Sequence, residues 1–526
     1  MFRNFINHNM EVLKKILKKI FKKKKKEKKI ETSDTIIPTC ISDHEKEANH
    51  QNINKPRNLW KNVNYRKYQM HAIISPIDPI TKSKEIHDRV VYMKDLEKRK
   101  EVYGICGECN EPGTGLDWCQ PCNAKRFREN FKNWTSGNKD IDELIQYSQL
   151  NSLHYTKCLE WIPFEHFKKV TYITSGGFGK IYSAEWPEGF LGCWNIEKQK
   201  WYRYTDCKVA LKSLDNSSII NTDFLNEIKS HLQIYLWNII YCYGITQDPS
   251  TKDYMMVFQY CQNGNLRNFY LNKPEEDILK LNYLLRIANG LLNIHNAGKI
   301  HKDFHIGNIL VGDTILISDL GMCQSENKND DEKSEEIYGV LPYMAPEVLR
   351  GNQYTKAADI YSFGIMMNEY FSDEIPFNDT PHDYILATEI CKGLRPKISE
   401  GTPQFLEELI IKCWDNNAEN RPTAEVVFLT LKKWDEMRHK DGEIRSQIEK
   451  YEEIRINRLK TRLNSSNSAS ITTHPQAIYT SRLLNFKDLP EPVNSSASTN
   501  PISECFDVQL SELDLNEINQ ENNDTE

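Results

Sequence analysis

Val209-Ala210-Leu211-Lys212 sets a lysine at the end of an apolar run that reads as a buried strand. A cation held in such a run is costly unless an anion meets it. Phe224-Leu225-Asn226-Glu227-Ile228 opens a helical stretch soon after and offers that anion in Glu227. A strand and a helix that must face each other across one ion pair call for sheet and helix packed around a shared core. The plainer alternative is a solvated surface pair. Upstream, Ile173-Thr174-Ser175-Gly176-Gly177-Phe178-Gly179-Lys180-Ile181-Tyr182 lies between two strand-like runs. Its glycines let backbone amides approach anionic oxygens closely, although the same string is also compatible with an ordinary glycine-rich hairpin.

Two further clusters follow. Ile300-His301-Lys302-Asp303-Phe304-His305-Ile306-Gly307-Asn308-Ile309-Leu310 brings an aspartate and an asparagine together, and Ile317-Ser318-Asp319-Leu320-Gly321 adds a second aspartate. Carboxylate and amide oxygens of this kind suit a hard cation such as Mg²⁺. Beyond them come Ala345-Pro346-Glu347, Asp359-Ile360-Tyr361-Ser362-Phe363-Gly364, Cys413-Trp414-Asp415 and Arg421-Pro422-Thr423.

In this order the motifs resemble those of the protein kinases, and the Cys-Trp and Arg-Pro-Thr ending resembles the tyrosine-kinase-like group. The resemblance implies an α+β fold of two lobes over residues 163–435: a small β-rich lobe with one key helix and a larger helical lobe. It implies ATP bound by Ile173, Thr174, Ser175, Gly176, Gly177, Phe178, Gly179, Ile181, Ala210, Lys212, Gln259, Cys261 and Leu310. Lys212, held by Glu227, would meet the α- and β-phosphates. Asp303 would accept the proton of the attacking hydroxyl, and Asn308 and Asp319 would hold Mg²⁺. Glu347 would pair with Arg421, and Asp359 would brace the catalytic loop from a buried helix. The implied activity is transfer of the γ-phosphate of ATP to protein hydroxyl side chains, Ser/Thr ahead of Tyr, in intracellular signalling. The competing class is a pseudokinase scaffold, whose usual signature is loss of Lys212, Asp303 or Asp319; all three are present. A small-molecule kinase is disfavoured by the Ala-Pro-Glu and Arg421 motifs.

Several positions depart from the family pattern. Thr174 replaces the first glycine of the loop, and Lys302 the arginine before the catalytic aspartate. His305 stands where Ser/Thr kinases carry a lysine, and Val340 where they often carry a threonine. Leu320 replaces a phenylalanine, and Phe258 precedes the hinge Gln259-Tyr260-Cys261. Lysine lacks the planar fork with which arginine clamps a phosphorylated loop. The acidic run around Ser325, Ser334 and Tyr338 would repel added phosphate. Activity, direct or through binding of a partner, is therefore expected without loop phosphorylation, the alternative being an ordinary phosphorylated loop clamped by Lys302 and another basic residue.

Outside this region the chain changes character. Cys106-x2-Cys109 and Cys119-x2-Cys122 form two knuckles that would place four thiolates around a structural Zn²⁺ in a ribbon-like element at 103–125. Gly113 and Gly115 are expected to make the tight connection between them. Unligated thiols or a redox pair are the alternatives. Residues 126–162 read as a helical connector with Phe127, Phe131, Trp134, Ile141, Leu144 and Ile145 buried. Residues 31–100 read as disordered, 436–463 as a charged helix, and 464–526 as a disordered acidic tail.

Residues 1–30 form a basic amphipathic segment that suggests an anionic membrane surface or a nuclear import receptor, with a plain solvated tail as the alternative. No specific nucleic-acid binding is expected. There is no spanning apolar run or secretory signal, and most of the 14 cysteines lie singly. An intracellular reducing setting is expected: cytoplasm, with nucleus or inner membrane surface as possibilities. The cysteine element, the stretch Trp134-Thr135-Ser136-Gly137-Asn138 and residues 478–493 also resemble a large set of related fungal kinases.

Overall fold

The computed structural model describes residues 57–64, 67–68, 72–73, 88–176, 179–214, 222–234, 237–272, 280–326, 337–438, 440, 442–464 and 473–494. The basic segment at 1–30, most of 31–87, Gly177, Phe178, Ser334 and the acidic stretch 501–526 lie outside the described residues.

The amino-terminal part is built by long-range pairing. Strand β1 (Leu59–Trp60) pairs antiparallel with β2 (Gly104–Ile105), which follows helix α1 (Leu96–Tyr103). Gly104 has φ of 85°, and a Cβ there would lie 2.0 Å from the Leu59 carbonyl oxygen, so the crossing admits only glycine. Buried Arg99 donates to the carbonyls of Gly113 and Met93, each at 2.9 Å. This corrects the expectation of disorder across 31–100 for residues 57–64 and 88–100. Their order comes from backbone pairing, Arg99 and a small cluster of Val91, Val102 and Tyr103 packed with Val63, Tyr68 and Met93, apolar residues too scattered along the chain to show a period.

Helix α2 (Gln120–Asn130) and helix α3 (Lys139–Asn151) form the connector. The Asn138 side chain caps α3 by accepting from the amides of Asp140 and Ile141. Phe127, Ile141, Leu144 and Ile145 are buried as expected, while Phe131 and Trp134 are half-buried.

A six-stranded sheet forms the small lobe. Its strands in chain order are β3 (Glu160–Trp161), β4 (Lys168–Gly176), β5 (Gly179–Trp186), β8 (Cys207–Leu214), β9 (Cys242–Gln247) and β10 (Tyr254–Gln259), arranged β3-β9-β10-β8-β5-β4. The hairpin β6 (Phe190–Asn195) and β7 (Lys200–Tyr204) is inserted between β5 and β8. Central β10 is almost wholly apolar and buried. Helix α4 (Thr222–Gln233) sets Phe224 and Ile228 against β9 and β10 from one side and Ile141, Leu144 and Ile145 of α3 from the other.

The large lobe is helical. Helices α5 (Leu266–Asn272) and α6 (Lys280–Asn296) precede β11 (Lys299–Ile300), β12 (Ile309–Val311), β13 (Ile315–Ile317), β14 (Gln324–Ser325) and β15 (Ile337–Gly339). Then come α7 (Pro346–Leu349), α8 (Lys356–Ser372), α9 (Tyr384–Cys391), α10 (Gln404–Cys413) and α11 (Ala424–Met437). Helix α8 is buried over nearly its whole length, its Asp359 and Glu369 included.

The charged segment after α11 forms α12 (Glu443–Asn464). It docks through buried Tyr451 and through Arg455, which shares Asp373 with Lys280 at 3.0 and 2.7 Å. The expectation of a disordered tail from 464 onward also needs correcting. Residues 473–494 lie along the large lobe, with β16 (Arg482–Leu484) antiparallel to β15 and with Leu484 and Leu489 buried in the main core. Among the described residues no helix is long and apolar enough to cross a membrane.

Candidate active site

Lys212 projects from β8, the strand flanked by β5 and β10. Its ammonium donates to Glu227 Oε1 on α4 at 2.8 Å and to Asp319 Oδ1 at 2.9 Å. One buried cation thus ties sheet, helix and the segment after β13 together. Burial alone would lower the Lys212 pKa, but Asp319 and Glu227 outweigh it and hold the ammonium charged. The same burial pushes the Glu227 carboxyl upward against the pull of Lys212. With the ammonium 2.8 Å away, we take the pair as ionised.

The loop after β11 is fixed from below. Backbone N–H groups of His301 and Lys302 donate to the two oxygens of buried Asp359 on α8, at 2.8 and 3.1 Å. His295 Nε2 stands 2.9 Å from the same carboxylate. Lys302 and Asp319 both have left-handed backbone, φ 70° and 59°, a conformation that non-glycine residues hold only where the surroundings enforce it. The Asn308 amide donates to the Asp303 carbonyl at 2.9 Å and to Asp303 Oδ2 at 3.1 Å. Its nitrogen is thereby committed, and its amide oxygen is the atom left to face a cation. His305 accepts from the Gly307 amide at Nδ1 and puts Nε2 3.6 Å from Asp303 Oδ2. Burial would raise the Asp303 pKa, but the nearby His305 ring and a hydrogen bond from Ser481 outweigh it and hold the carboxyl at about 2.

The remaining expected partners meet. Arg421 forks onto Glu347 with Nη1–Oε1 at 2.6 Å and Nη2–Oε2 at 2.8 Å. Thr174, Ser175 and Gly176 pair with Ile181, Lys180 and Gly179 across the β4–β5 hairpin, whose tip, Gly177 and Phe178, lies outside the described residues. Ile173 is exposed on β4. Ala210 and Val209 sit opposite Phe258 and Gln259. Leu310 and Ala210 both pack against the α4 core, and Cys261 is buried beside Gly312.

The four cysteines converge at the start of α2, far from Lys212 in the chain. All four sulfurs lie within 4.8 Å of one another, with Cys106–Cys122 at 3.9 Å and Cys109–Cys119 at 3.6 Å. Bonds of about 2.3 Å to a tetrahedral zinc give sulfur–sulfur edges of roughly 3.8 Å, so the cage has the right size. The tight turns fall at left-handed Asn110 and Asp117 and not at Gly113 or Gly115. Asparagine and aspartate tolerate that backbone because their short polar side chains bond locally. Buried Trp118 stacks on Trp201 of the β6–β7 hairpin at 5.8 Å, and Phe127 stacks on it at 4.9 Å.

One contact had no signal in the sequence. The Ser481 hydroxyl donates to Asp303 Oδ2 at 2.5 Å across 178 residues of chain. A serine in a Ser/Thr-rich stretch looks like linker, and only the β15–β16 register sets it apart.

Residues 167–431 match the family model described as protein tyrosine and serine/threonine kinase. The chain is 32% identical over 237 residues to the dual specificity protein kinase shkA of Dictyostelium discoideum, covering 43% of this chain and 44% of that protein. It is 28% identical over 279 residues to the serine/threonine-protein kinase VIK of Arabidopsis thaliana, covering 51% and 60%. Against the serine/threonine/tyrosine-protein kinase HT1 of the same plant it is 28% identical over 248 residues, covering 46% and 62%. The chain therefore spans less than two thirds of the length of these curated relatives.

Proposed function

The chain belongs to the protein tyrosine and serine/threonine kinase family, in its tyrosine-kinase-like type, and from that premise we propose that it transfers the γ-phosphate of ATP to protein hydroxyl groups, serine and threonine ahead of tyrosine. The observation that carries this reading is the assembled charge cluster. Lys212 meets Glu227 and Asp319 at once, while Asn308 orients Asp303. Phosphoryl transfer needs positioned charge more than covalent help from the protein, and this cluster supplies it. Asp303 receives and orients the hydroxyl; Lys212 positions the nucleotide phosphates under the β4–β5 hairpin, with Ala210, Gln259, Cys261 and Leu310 beside the base.

Asp319 and Asn308 suit Mg²⁺, because each presents an oxygen not taken by Lys212 or Asp303. The cation would neutralise phosphate charge when bound. A scaffold without transfer is disfavoured, since none of the charged groups it would be free to lose has been lost.

Cys106, Cys109, Cys119 and Cys122 fit a closed structural Zn²⁺ site. Purified protein should carry one zinc per chain, and Cys109→Ser should release it; metal analysis without chelators that finds none would remove zinc from the account. Lys302, whose ammonium stands 4.5 Å from the ring centre of Tyr354, supports activity without a phosphorylated loop. An intracellular setting, contact of residues 1–30 with an anionic membrane surface or an import receptor, and kinship with the fungal set extend the same reading.

Labelled ATP, a generic protein acceptor and phosphoamino-acid analysis provide the test. Label on serine and threonine that disappears in Asp303→Asn, with nucleotide binding retained, is expected. Undiminished turnover in that variant would sink the assignment.

A further inference from the structure

Residues 473–494 cross the large lobe as an extended strap whose central strand sits beside the catalytic loop. Ile337, Tyr338 and Gly339 of β15 pair in antiparallel register with Leu484, Leu483 and Arg482. Addition of a strand to a free edge is a general way to seat a peptide: the backbone fixes the register and a few side chains anchor it. Here several side chains anchor it. Leu484 and Leu489 are buried in the large-lobe core. Tyr479 lies 4.5 Å under the Arg267 guanidinium and donates its hydroxyl to the Pro376 carbonyl at 2.7 Å. His382 takes the Gln476 carbonyl on its amide at 3.0 Å. Arg350 forks onto Glu491, and the Val493 amide donates to the Cys391 carbonyl at 2.9 Å.

That register delivers one hydroxyl to one carboxylate. Ser481, the residue just before β16, donates to Asp303 Oδ2 at 2.5 Å. A general base takes a proton from an oxygen within hydrogen-bond reach, about 2.6–3.2 Å, and Ser481 at 2.5 Å stands just closer than that range. Its neighbours do not compete: Thr480 is exposed, and the Tyr479 hydroxyl is engaged at Pro376.

We propose that residues 473–494 are an intramolecular substrate of this chain's own site, with Ser481 as the phosphoacceptor, and that the unmodified strap keeps other acceptors away from Asp303. This rests on the phosphoryl-transfer reading above. The Ser481 oxygen bonds to the γ-phosphorus of ATP while its proton passes to Asp303 and then to water. The bond from that phosphorus to the bridging oxygen breaks, and its electron pair leaves with ADP. The product carries a charge of about −1.5 to −2 beside the Asp303 carboxylate, and like charges at that distance drive the strap out. Phosphorylation of Ser481 thus opens the cleft to protein substrates.

The test uses the full chain, phosphatase-treated and then given Mg²⁺ and ATP, with casein as the external acceptor and mass spectrometry to map phosphate. The expected result has three parts. Phosphate appears on Ser481 with a rate constant independent of protein concentration. Casein labelling shows a lag that ends as Ser481 fills. Ser481→Glu abolishes the lag, and Ser481→Ala stays slow. A strap held in place competes at roughly millimolar effective concentration, so Ser481→Glu should start about tenfold faster than the unmodified parent. Steady casein labelling from the start with Ser481 unmodified, and no change in Ser481→Glu, would overturn the strap while leaving the kinase reading intact. A Ser481 rate proportional to protein concentration would overturn its intramolecular character. No transfer to casein by either the parent or Ser481→Glu would defeat the kinase reading, and the strap assignment with it.

Discussion

Ile141, Leu144 and Ile145 of α3 press on the back of α4, whereas Ser481 and β16 lie across the front of the large lobe. The first extension works by burial. Each such side chain contributes about 1.5–3 kcal/mol when fully buried. Its effect is to hold α4, and with it Glu227, against Lys212, and it touches no reacting group. The second adds to its two buried leucines a polar contact: a short backbone ladder, each bond worth about 0.5–1.5 kcal/mol net, and a hydroxyl on the Asp303 carboxylate. An apolar brace does not respond to what happens in the site. On the proposal above, a strap that ends on Asp303 would respond, because transfer to Ser481 would change the strap itself.

The largest expected effect is at the carboxylate on which the strap ends. Asp303→Asn should cut transfer about 10²–10⁴-fold, and label on Ser481 should fall with label on casein. If only one falls, the two acceptors do not share a site.

Next, Ile145→Ala should destabilise the brace by about 2–5 kcal/mol, the usual cost of emptying a buried isoleucine site. Hydrogen exchange should rise across 222–233 and turnover should drop, with protection at 337–339 unchanged. Equal loss at both places would mean that brace and strap are one cooperative unit.

Acidity offers a milder separation. His154, at the end of the connector, and His231 on α4 are both held neutral, with pKa values lowered to about 3. Burial is the leading cause, joined by Lys157 for both and by Lys212 for His231. Between pH 6.5 and about 3 the unfolded chain binds protons that these folded histidines refuse, so stability falls as pH falls through that window. The slope is about 1.4 kcal/mol per pH unit for each histidine. His382, which bonds the strap at Ile478, is lowered by burial but partly restored by backbone groups, giving the strap a weaker dependence of the same sign. Near pH 5, exchange in the small lobe should therefore rise before exchange at β15 and β16; the reverse order would contradict these assignments.

The smallest effect is Arg350→Ala. The Arg350–Glu491 pair has an exposed glutamate, and such pairs contribute about 0–1 kcal/mol, so the casein lag should shorten by no more than a few-fold.

The residues proposed to handle phosphate and metal were readable in the sequence because that chemistry demands particular side chains in a particular order. Lys212, Glu227, Asp303, Asn308 and Asp319 converge as their motifs imply, and the cysteine spacing anticipated the sulfur cage. The helical face of Ile141, Leu144 and Ile145 was also readable from its period, but not its partner α4, because periodicity says that a face is buried and not against what. Apart from the family resemblance of residues 478–493, the strap left little trace. Its register is set by backbone groups of Ile337 to Gly339, which every residue carries, and its two leucines stand in a polar stretch that resembles linker. The turn residues of the cysteine element were misassigned for a related reason: glycine is the usual sign of left-handed backbone, yet Asn110 and Asp117 hold it here.

The stacking of Trp118 and Phe127 on Trp201 has a practical consequence for anyone dissecting this chain. A recombinant catalytic fragment trimmed to residues 167–431 would strip those partners from the β6–β7 hairpin and leave Trp201 without its cover. It would also discard the brace behind α4 and the strap across Asp303. Such a fragment would tend to self-associate through its bared aromatic rings, and any rate measured on it would describe an enzyme both unbraced and unguarded. Boundaries set near residues 57 and 494 would keep hairpin, brace and strap together.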